Sequence, residues 1–505
     1  MNTVREADWS RDSARPWAYY ALLLYVSGAL FANAFRYAVT LPLRAEAVFP
    51  EAYRVYDARE YARVGQVYRA PDEPPYNPSV YSPLFYLVTS LPFRVTEPDN
   101  PFFVTRLMAG AFFAASVLMA AWISYALTRR AAVAGWAVLL GGGLLLFNPW
   151  VADIRADFMG ALCGLASARL LLARSRGAVL AAGLCAGLAF AFKLTLVAAA
   201  MSGALWLLLE RRIRESFEFA LAFALSGLAG YFAFVPFEPH LRENLFALGW
   251  AVRDFPGAAR LLYVAAGEPV FLLALAASAS ALREPDRRWR LVLLYTALSL
   301  AVAIATSVQP GASVNYFIEP LLAAAPLASW AALRLAEPGN RAPVLQLVLA
   351  GLVLVFLVKP AVSLAAYPLT LDVAGRNARF LELGELLHDK SLFSAAPDVS
   401  LLGRQPAPVT EPFLIRYLEL AGRYDPAPLA QRLRAGEFDL VVTRPKEDRY
   451  RGVEVLSPAF QDAIRASYAP LCVLDGNLYL LPRTPHDTGA LADGLRKLGC
   501  RPPDG

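Results

Sequence analysis

The sequence predicts a mostly α-helical, polytopic membrane protein, with about eleven membrane-crossing segments followed by a small α/β domain. Hydrophobic residues make up 57% of the 505 residues and charged residues only 18%, which gives a mean hydropathy of +0.42. A soluble chain of this length would need a more highly charged surface. The apolar residues also fall into runs long enough to cross a bilayer, and that pattern decides the class of protein.

The first apolar run covers residues 17–41 and follows a polar N-terminal segment at 1–16. A run of this length after a polar segment is typical of an uncleaved signal anchor. The runs at 178–192 and 194–209 are short for two full spans, so they predict a hairpin of tilted or partial helices inside the bundle. The other runs lie at 103–127, 131–149, 158–173, 217–236, 269–282, 291–307, 318–333 and 343–364.

Arginine clusters indicate the orientation of these segments, because they occupy every second connection, as the positive-inside rule expects of cytoplasmic loops. Arginines also precede the first run, so the N-terminal segment is predicted to be cytoplasmic. Orientation therefore explains the net charge of +6 and the pI near 9.1 better than nucleic-acid binding does. The outward-facing connections are then 43–102, 150–157, 237–268 and 308–317, with everything after about 365.

This map divides the chain into a transmembrane domain at 17–365 and an extracytoplasmic domain at 366–505. Helical patterns alternate in the second domain with apolar runs bounded by turn residues, which is typical of a small α/β domain. The predicted strands are 392–396, 438–443 and 478–481. Cys472 and Cys500 can form a disulfide there if the domain faces an oxidising compartment, a point that the sequence leaves open.

The long outer loop brings Asp57, Glu60 and Tyr61 to one face of a helix. A carboxylate held beside a dry cavity can have a raised pKa and serve as a catalytic general base. The spacing of Asp57 and Glu60 equally fits a capping box that opens a short helix. Tyr81 and Tyr86 follow in an aromatic segment that is too short to span, and an aromatic belt at the membrane interface is the simpler interpretation of such tyrosines.

A very short outer turn carries Asp153, Arg155 and Asp157. If the next helix begins there, the two aspartates share a helix face and suit a metal ion or a basic partner. Arg155 can hold a phosphate, because a guanidinium offers paired donors. The structural alternative is that acids at a helix N-terminus complement the helix dipole.

Later outer boundaries supply a third group of candidates. Asn315, Tyr316 and Glu319 lie at the entry to the run at 318–333, where a carboxylate is costly and is therefore a functional candidate unless an arginine pairs with it. Lys193 separates the two short runs and either snorkels to the interface or contacts an anionic lipid head group. His240 lies in another outer loop without neighbours at metal-ligand spacing.

The sequence contains no convincing nucleotide-binding, zinc or hydrolase motif, which argues against an ATP-driven pump and a soluble-type hydrolase. The order of its features resembles the GT-C superfamily of membrane glycosyltransferases, near the branch of bacterial protein mannosyltransferases and lipid A aminoarabinose transferases. The resemblance covers the whole membrane part. The motifs that carry it are Tyr56-Asp57-Ala-Arg-Glu60, Tyr81-Ser-Pro-Leu-Phe-Tyr86, Asp153-Ile-Arg-Ala-Asp157 and Gly187-Leu-Ala-Phe-Ala-Phe-Lys193.

This resemblance implies a sugar donor carried on a polyprenyl phosphate and used at the outer face of a bacterial inner membrane, with a glycan, lipid or protein acceptor. It makes Asp57 the general base of an inverting displacement, although Asp57 is followed by Ala58 where better-known members pair two acids. The leaving phosphate would need Lys193, Arg155 or a divalent metal such as Mg or Mn. Asp153 or Asp157 would hold that metal or orient the acceptor.

Two other classes of function compete with a transferase. One is a transporter or lipid flippase, and the other is a non-catalytic assembly protein that presents its C-terminal domain to a partner. Transporters usually place ionisable residues near the bilayer midplane, often within repeats. Here the candidate acids concentrate at the outer boundary and the sequence has no internal repeat, which favours the enzyme.

Overall fold

A computed structural model describes residues 17–48, 51–70, 73–144, 150–173, 175–247, 253–309, 312–335, 372–404, 407, 409–444, 449–450, 453–484 and 488–503. Fourteen helices precede residue 336 in this part of the chain. They are α1 Trp17–Thr40, α2 Glu51–Val64, α3 Pro83–Val95, α4 Pro101–Thr128, α5 Ala131–Gly142, α6 Ala156–Leu171, α7 Arg176–Phe192, α8 Ala198–Leu209, α9 Ile213–Phe232, α10 Leu241–Ala247, α11 Phe255–Ala266, α12 Pro269–Arg283, α13 Arg288–Thr306 and α14 Ile318–Leu335, which a 3₁₀ turn at Val314–Phe317 precedes.

Four segments in the described residues are long and apolar enough to cross a membrane, namely parts of α1, α4, α13 and the 3₁₀ turn with α14. The pair α11 and α12, bent by 76°, adds a fifth if it forms one span, while α5, α7 and α8 are apolar but shorter. The chain is therefore an integral membrane protein. The count of about eleven spans stays a prediction. The predicted segments at 1–16 and 343–364 lie outside the described residues.

Helix α7 packs closely against α9. A Cβ atom on Gly183 or Gly187 would collide with the backbone of α9, so only glycine allows this approach. Small residues at helix contacts are typical of membrane bundles, where close packing replaces the hydrophobic driving force. The helix ends at Phe192, and the next residue, Lys193, is held at a defined place at the end of the bundle.

Arg106 of α4 joins the bundle to the outer helix α2. Its guanidinium is fully buried and pairs with Glu51 at 2.7 Å between Nε and Oε1. It also donates to the backbone carbonyls of Thr40, Leu43 and Ala45 at 2.6–2.7 Å. A buried charge with every partner in place stabilises one arrangement of the chain, so α2 is held firmly beside the end of α1.

The C-terminal region contains both helices and strands. The elements are α15 Val373–Leu387, β1 Leu392–Ser394, α16 Pro397–Ser400, α17 Pro412–Leu420, α18 Ala427–Arg434, β2 Leu440–Thr443, β3 Arg449–Tyr450, β4 Val453–Glu454, α19 Pro458–Ser467, β5 Tyr468–Leu474, β6 Asn477–Pro482 and α20 Gly489–Lys497. Four of the strands form a sheet in the order β1-β2-β6-β5. β1 and β2 are parallel, whereas β6 is antiparallel to both β2 and β5. The predicted boundary at 365 lies outside the described residues, so the division into domains stays a prediction.

Buried polar contacts hold this C-terminal region against the outer loop. Arg444 donates to Glu46 at 3.0 Å and to Asp398 at 3.2 Å. The side-chain oxygen of Asn77 accepts hydrogen bonds from the N–H and the hydroxyl of Thr410, at 2.7 and 2.8 Å. The two parts of the chain therefore share one polar interface beside α2.

A disulfide joins Cys472 of β5 to Cys500 beyond α20. Replacing both cysteines by serine is expected to destabilise the C-terminal region by about 3–4 kcal/mol, because the bond closes a loop with a sequence separation of 28 residues. Denaturant-dependent proteolysis of this region measures the change, with the free cysteines Cys163 and Cys185 replaced together as the control. Equal stability of the two variants would contradict the expectation.

Candidate active site

Helix α2 places Asp57 inside a buried polar cluster. Asp57 is only 2% exposed, and the hydroxyl of Ser79 donates to its Oδ2 at 3.0 Å. The helix begins at Glu51, well before Asp57, so the predicted capping box of Asp57 and Glu60 is wrong. Both side chains belong to the middle and the second half of α2, where no free backbone N–H needs a cap.

Burial raises the pKa of Asp57 to about 8, and hydrogen bonds from Ser79 and Tyr86 offset only part of that effect. Burial also raises the pKa of Tyr53, and the nearby Asp57 raises it further, so this phenol stays protonated. A carboxyl group with a pKa near 8 exchanges protons readily close to neutral pH. Such a perturbed carboxyl group is typical of a general base.

Arg54 lies one helical turn before Asp57 and pairs with Asp153. Its Nη2 is 2.5 Å from the carboxylate oxygens of Asp153, and neither side chain is more than 1% exposed. The Nε of Arg155 donates to the same carboxylate at 2.7 Å, and its guanidinium lies 3.9 Å from the ring centroid of Trp150. One aspartate thus orients two arginines, and the local excess of charge is positive.

Helix α6 begins at Ala156, so Asp153 precedes the helix and the predicted sharing of one helix face with Asp157 is wrong. The chain is extended at Arg155, which separates the two aspartates. Asp157, in the first turn of α6, instead accepts from Lys193 at 2.6 Å and from the amide of Asn315 at 3.0 Å. Each aspartate therefore has a basic partner. The sequence had left open whether these aspartates bind a metal ion or a basic partner.

Tyr316 and Glu319 extend the cluster into the bundle. The ammonium group of Lys193 lies 4.0 Å from the ring centroid of Tyr316, which is within the range of a cation–π contact. Glu319 is 3% exposed, and its Oε1 accepts from the hydroxyl of Tyr295 at 2.9 Å. A tyrosine, not the arginine considered from the sequence, satisfies this carboxyl group.

Tyr81 and Tyr86 pack with Tyr68 and Phe85 beside Asp57. Ring centroids are 5.7 Å apart for Tyr68 and Tyr86, and 4.8 Å apart for Tyr81 and Phe85. The backbone N–H of Tyr81 donates to the hydroxyl of Tyr86 at 3.3 Å. Because Tyr86 is fully buried in protein, it lines the interior beside Asp57 and does not belong to an aromatic belt.

Two predicted site residues have partners outside this cluster. Glu60 pairs with Arg63 at 2.9 Å and with Arg69 at 3.1 Å. His240 is partly exposed and lies 2.7 Å from a carboxylate oxygen of Glu243. The structure does not place His240 among the groups around Asp57 and Asp157.

The residues present do not fit the divalent metal considered for Asp153 and Asp157. The oxygens of Asp153 accept from Arg54 and Arg155, and those of Asp157 accept from Lys193 and Asn315. Among the described residues there is no group of three or more His, Cys, Asp or Glu side chains that could hold a metal ion. Oxygen-rich ligand sets are what Mg²⁺ or Mn²⁺ requires.

Arg54, Ser79 and Tyr53 were not among the site residues predicted from the sequence. One signal was available for two of them, because Arg54 and Tyr53 lie three and four residues before Asp57, the spacing of neighbours on a helix surface. Ser79 offered no comparable signal, since only the folded loop brings it to Asp57. The same holds for the pairing of Arg54 with Asp153, which lies 99 residues away in the chain.

The fold of this chain is similar to the GT-C fold of solved structures, which confirms, at the level of the fold, the resemblance read from the sequence. One of the similar structures is that of ArnT, an aminoarabinose transferase. ArnT from Cupriavidus metallidurans bound to undecaprenyl phosphate superposes with a TM-score of 0.58 at 13% identity, over 93% of this chain and 98% of that chain. The apo state gives 0.56 at 14% identity, over 92% and 98%. No family model and no curated protein matches the chain.

Proposed function

We propose that this protein is a membrane glycosyltransferase that moves a sugar from a polyprenyl-phosphate donor to an acceptor hydroxyl. The observation that carries the proposal is the buried carboxyl group of Asp57, which has a pKa near 8 and lies one helical turn from Arg54 in a GT-C fold. Arg54 shares Asp153 with a second cation, Arg155, and Lys193 pairs with Asp157, which is near Arg155 in the sequence. The ArnT structure with undecaprenyl phosphate supports a polyprenyl phosphate as the lipid.

In this reaction Asp57 is the general base. Its carboxylate takes the proton of the acceptor hydroxyl while that oxygen bonds to the anomeric carbon, and the bond from that carbon to the phosphate oxygen breaks with its electron pair. A single displacement of this kind inverts the anomeric carbon. Ser79 and Tyr86 hold the carboxylate in position, which matters because a general base acts only within hydrogen-bond reach of its proton.

The leaving lipid phosphate needs fixed positive charge as the bond breaks. Arg155 uses its Nε for Asp153, and its Nη groups have no hydrogen-bond partner among the described residues. Lys193 has three donors, of which one goes to Asp157. Both cations are therefore oriented by an aspartate and still offer donors, so they suit the two sides of a phosphate group.

The site is assigned to the outer face of a bacterial inner membrane. Asp57 lies in the loop between α1 and α4, and the C-terminal region packs on that same loop through Arg444 and Asn77. The disulfide of Cys472 with Cys500 supports an oxidising compartment for that region. The acceptor, a glycan, lipid or protein, reaches the site from this side.

The test is transfer from a panel of radiolabelled polyprenyl-phosphate sugars by the purified protein in lipid vesicles. Transfer from one donor supports the proposal, and inverted stereochemistry of the product supports a single displacement. Movement of the lipid-linked sugar between leaflets without transfer would support the flippase alternative. Failure to bind any polyprenyl phosphate would contradict both.

The rate of transfer is expected to rise about tenfold per pH unit up to about pH 8 and then level off, because only the unprotonated Asp57 accepts a proton. Initial rates between about pH 6 and pH 9 at saturating donor measure this. Burial also raises the pKa of Glu46 to about 8, so Glu46→Gln is the matched control and should keep the same profile. A flat profile in the wild-type protein would show that a group other than Asp57 is the base.

A further inference from the structure

A cavity of about 570 Å³ lies between the start of α4, helix α15 and the short stretch after α16. Its apolar wall is formed by Phe102, Phe380, Leu381 and Leu401. The volume is within the range of small-molecule sites in proteins, about 300–1,000 Å³. An apolar cavity of this size on the outside of a membrane protein suits a ligand with a hydrocarbon part.

The cavity lies near the end of the first candidate membrane span. Helix α1 ends at Thr40, and the amide of Asn100, the cap of α4, lies 3.3 Å from the carbonyl oxygen of Leu43. The start of α4 is therefore within a few residues of the membrane boundary. Head groups occupy about 5–7 Å on each side of the hydrocarbon core, so lipids reach this opening directly.

The rim of the cavity carries charges of both signs. Arg44 and Arg59 supply two guanidinium groups, while Asp99 and Glu385 supply two exposed carboxylates, and His388 lies next to them. Arg59 also pairs with Glu97 at 2.7 Å, but that carboxylate is 80% exposed and such a pair is weak. The rim thus offers donors to an anion and acceptors to a cation, at the mouth of one apolar cavity.

The cavity is separate from the candidate active site. Arg59 follows Asp57 by two residues on α2, which places the two side chains about 200° apart around the helix. Asp57 points to Ser79, and among the residues that line this cavity none belongs to the cluster of Arg155, Asp157 and Lys193. A ligand here would therefore be an additional one.

We infer that this cavity binds a phospholipid whose head group carries both a phosphate and a primary amine, as phosphatidylethanolamine does. Arg44 and Arg59 bind the phosphate, Asp99 and Glu385 accept from the ammonium group, and the upper part of an acyl chain packs on Phe102 and Phe380. A head group without an amine leaves the carboxylates unpaired, and a trimethylated amine cannot donate to them, so both are expected to bind more weakly.

Native mass spectrometry of the full-length protein in a mild detergent tests this inference. The protein is mixed with phosphatidylethanolamine, phosphatidylcholine or phosphatidylglycerol, and one retained phosphatidylethanolamine is the expected result. Arg44→Gln with Arg59→Gln is expected to weaken that retention about tenfold or more. The control is Arg432→Gln with Arg465→Gln, which removes one partly exposed and one exposed arginine, neither of which lines the cavity.

A second variant keeps the test independent of the arginines. A Cβ on Gly384 would lie 3.4 Å from the nearest side-chain atom, of Leu402, so a side chain can start there without a collision. Because Gly384 lines the cavity, Gly384→Leu is expected to occupy part of its volume. It should also abolish retention. Equal retention of the three lipids, or retention of phosphatidylethanolamine unchanged by Gly384→Leu, would overturn the inference. Free phosphoethanolamine competing as well as the lipid would reassign the site to a soluble ligand. No result depends on transferase activity.

Discussion

Replacing Asp57 by asparagine is expected to lower sugar transfer by about 10²–10⁴-fold, the range that a positioned general base contributes. The amide has the shape of the carboxyl group and keeps an oxygen that accepts from Ser79. Because burial raises the pKa of Asp57 to about 8, the side chain is mostly uncharged at pH 7, and the substitution exchanges one neutral group for another. Folding and donor binding should therefore survive while the rate falls.

Initial rates and donor affinity, measured together, check this expectation. Asp462→Asn, an equivalent change at an exposed residue, is the control and should leave transfer unchanged. If Asp57→Asn retains wild-type activity, Asp57 is not the base, and Glu60→Gln would show whether that role belongs to Glu60. A parallel loss of donor affinity would instead identify Asp57 as a binding residue.

The stability of the two proteins should also respond differently to pH. The folded wild-type protein holds the proton of Asp57 up to about pH 8, whereas the unfolded chain releases it near pH 4. The wild-type protein therefore loses stability from this group as the pH rises between these values. Asp57→Asn lacks the titrating group, so its stability should fall less over the same interval.

The membrane fold could be predicted from the sequence because its main determinant is local. A run of apolar residues such as that of α4 predicts a membrane span by its own length and composition, without reference to the rest of the chain. The residues at which helices begin were harder to predict from the sequence. The start of α2 at Glu51 depends on Arg106, which pairs with Glu51 from another helix, and no pattern within 51–64 indicates that partner.

The site could be predicted only in part, for the same physical reason. Asp157 and Lys193 stand out because charged residues are rare next to long apolar runs. Asp57 stands out because acidic and aromatic residues concentrate in the outer loop. Their partners are set by tertiary contacts. Lys193 meets Asp157 across 36 residues of sequence, and Asn315 reaches the same carboxylate across 158 residues. The sequence alone therefore left both a metal and a basic partner open for Asp157.

Breaking the ion pair of Arg54 with Asp153 is expected to lower the stability of the protein more than any other change considered. Asp153→Asn leaves the guanidinium of Arg54, which is 1% exposed, without a charged partner and should destabilise the packing of α2 by about 3–5 kcal/mol. Arg54→Met with Asp153→Leu removes both charges and fills the space with apolar atoms, so part of the lost stability should return. The rest should stay lost, because the buried guanidinium of Arg155 also donates to Asp153 and has no carboxylate in the double variant. The free energy of unfolding of both variants is measured by reversible unfolding in lipid, with proteolysis of the outer loop as the signal.

The comparison of single and double variants separates a structural role of this pair from a catalytic one. If the pair acts only in folding, the double variant regains transfer together with part of its stability. If Asp153 also orients Arg155 toward the lipid phosphate, the double variant regains part of its stability but no transfer, because the Nε of Arg155 then has no carboxylate to hold it. Asp462→Asn with Arg465→Met, at an exposed pair, is the control and should alter neither property. If Asp153→Asn is as stable as the wild-type protein, the pair of Arg54 and Asp153 is not a buried ion pair on which folding depends.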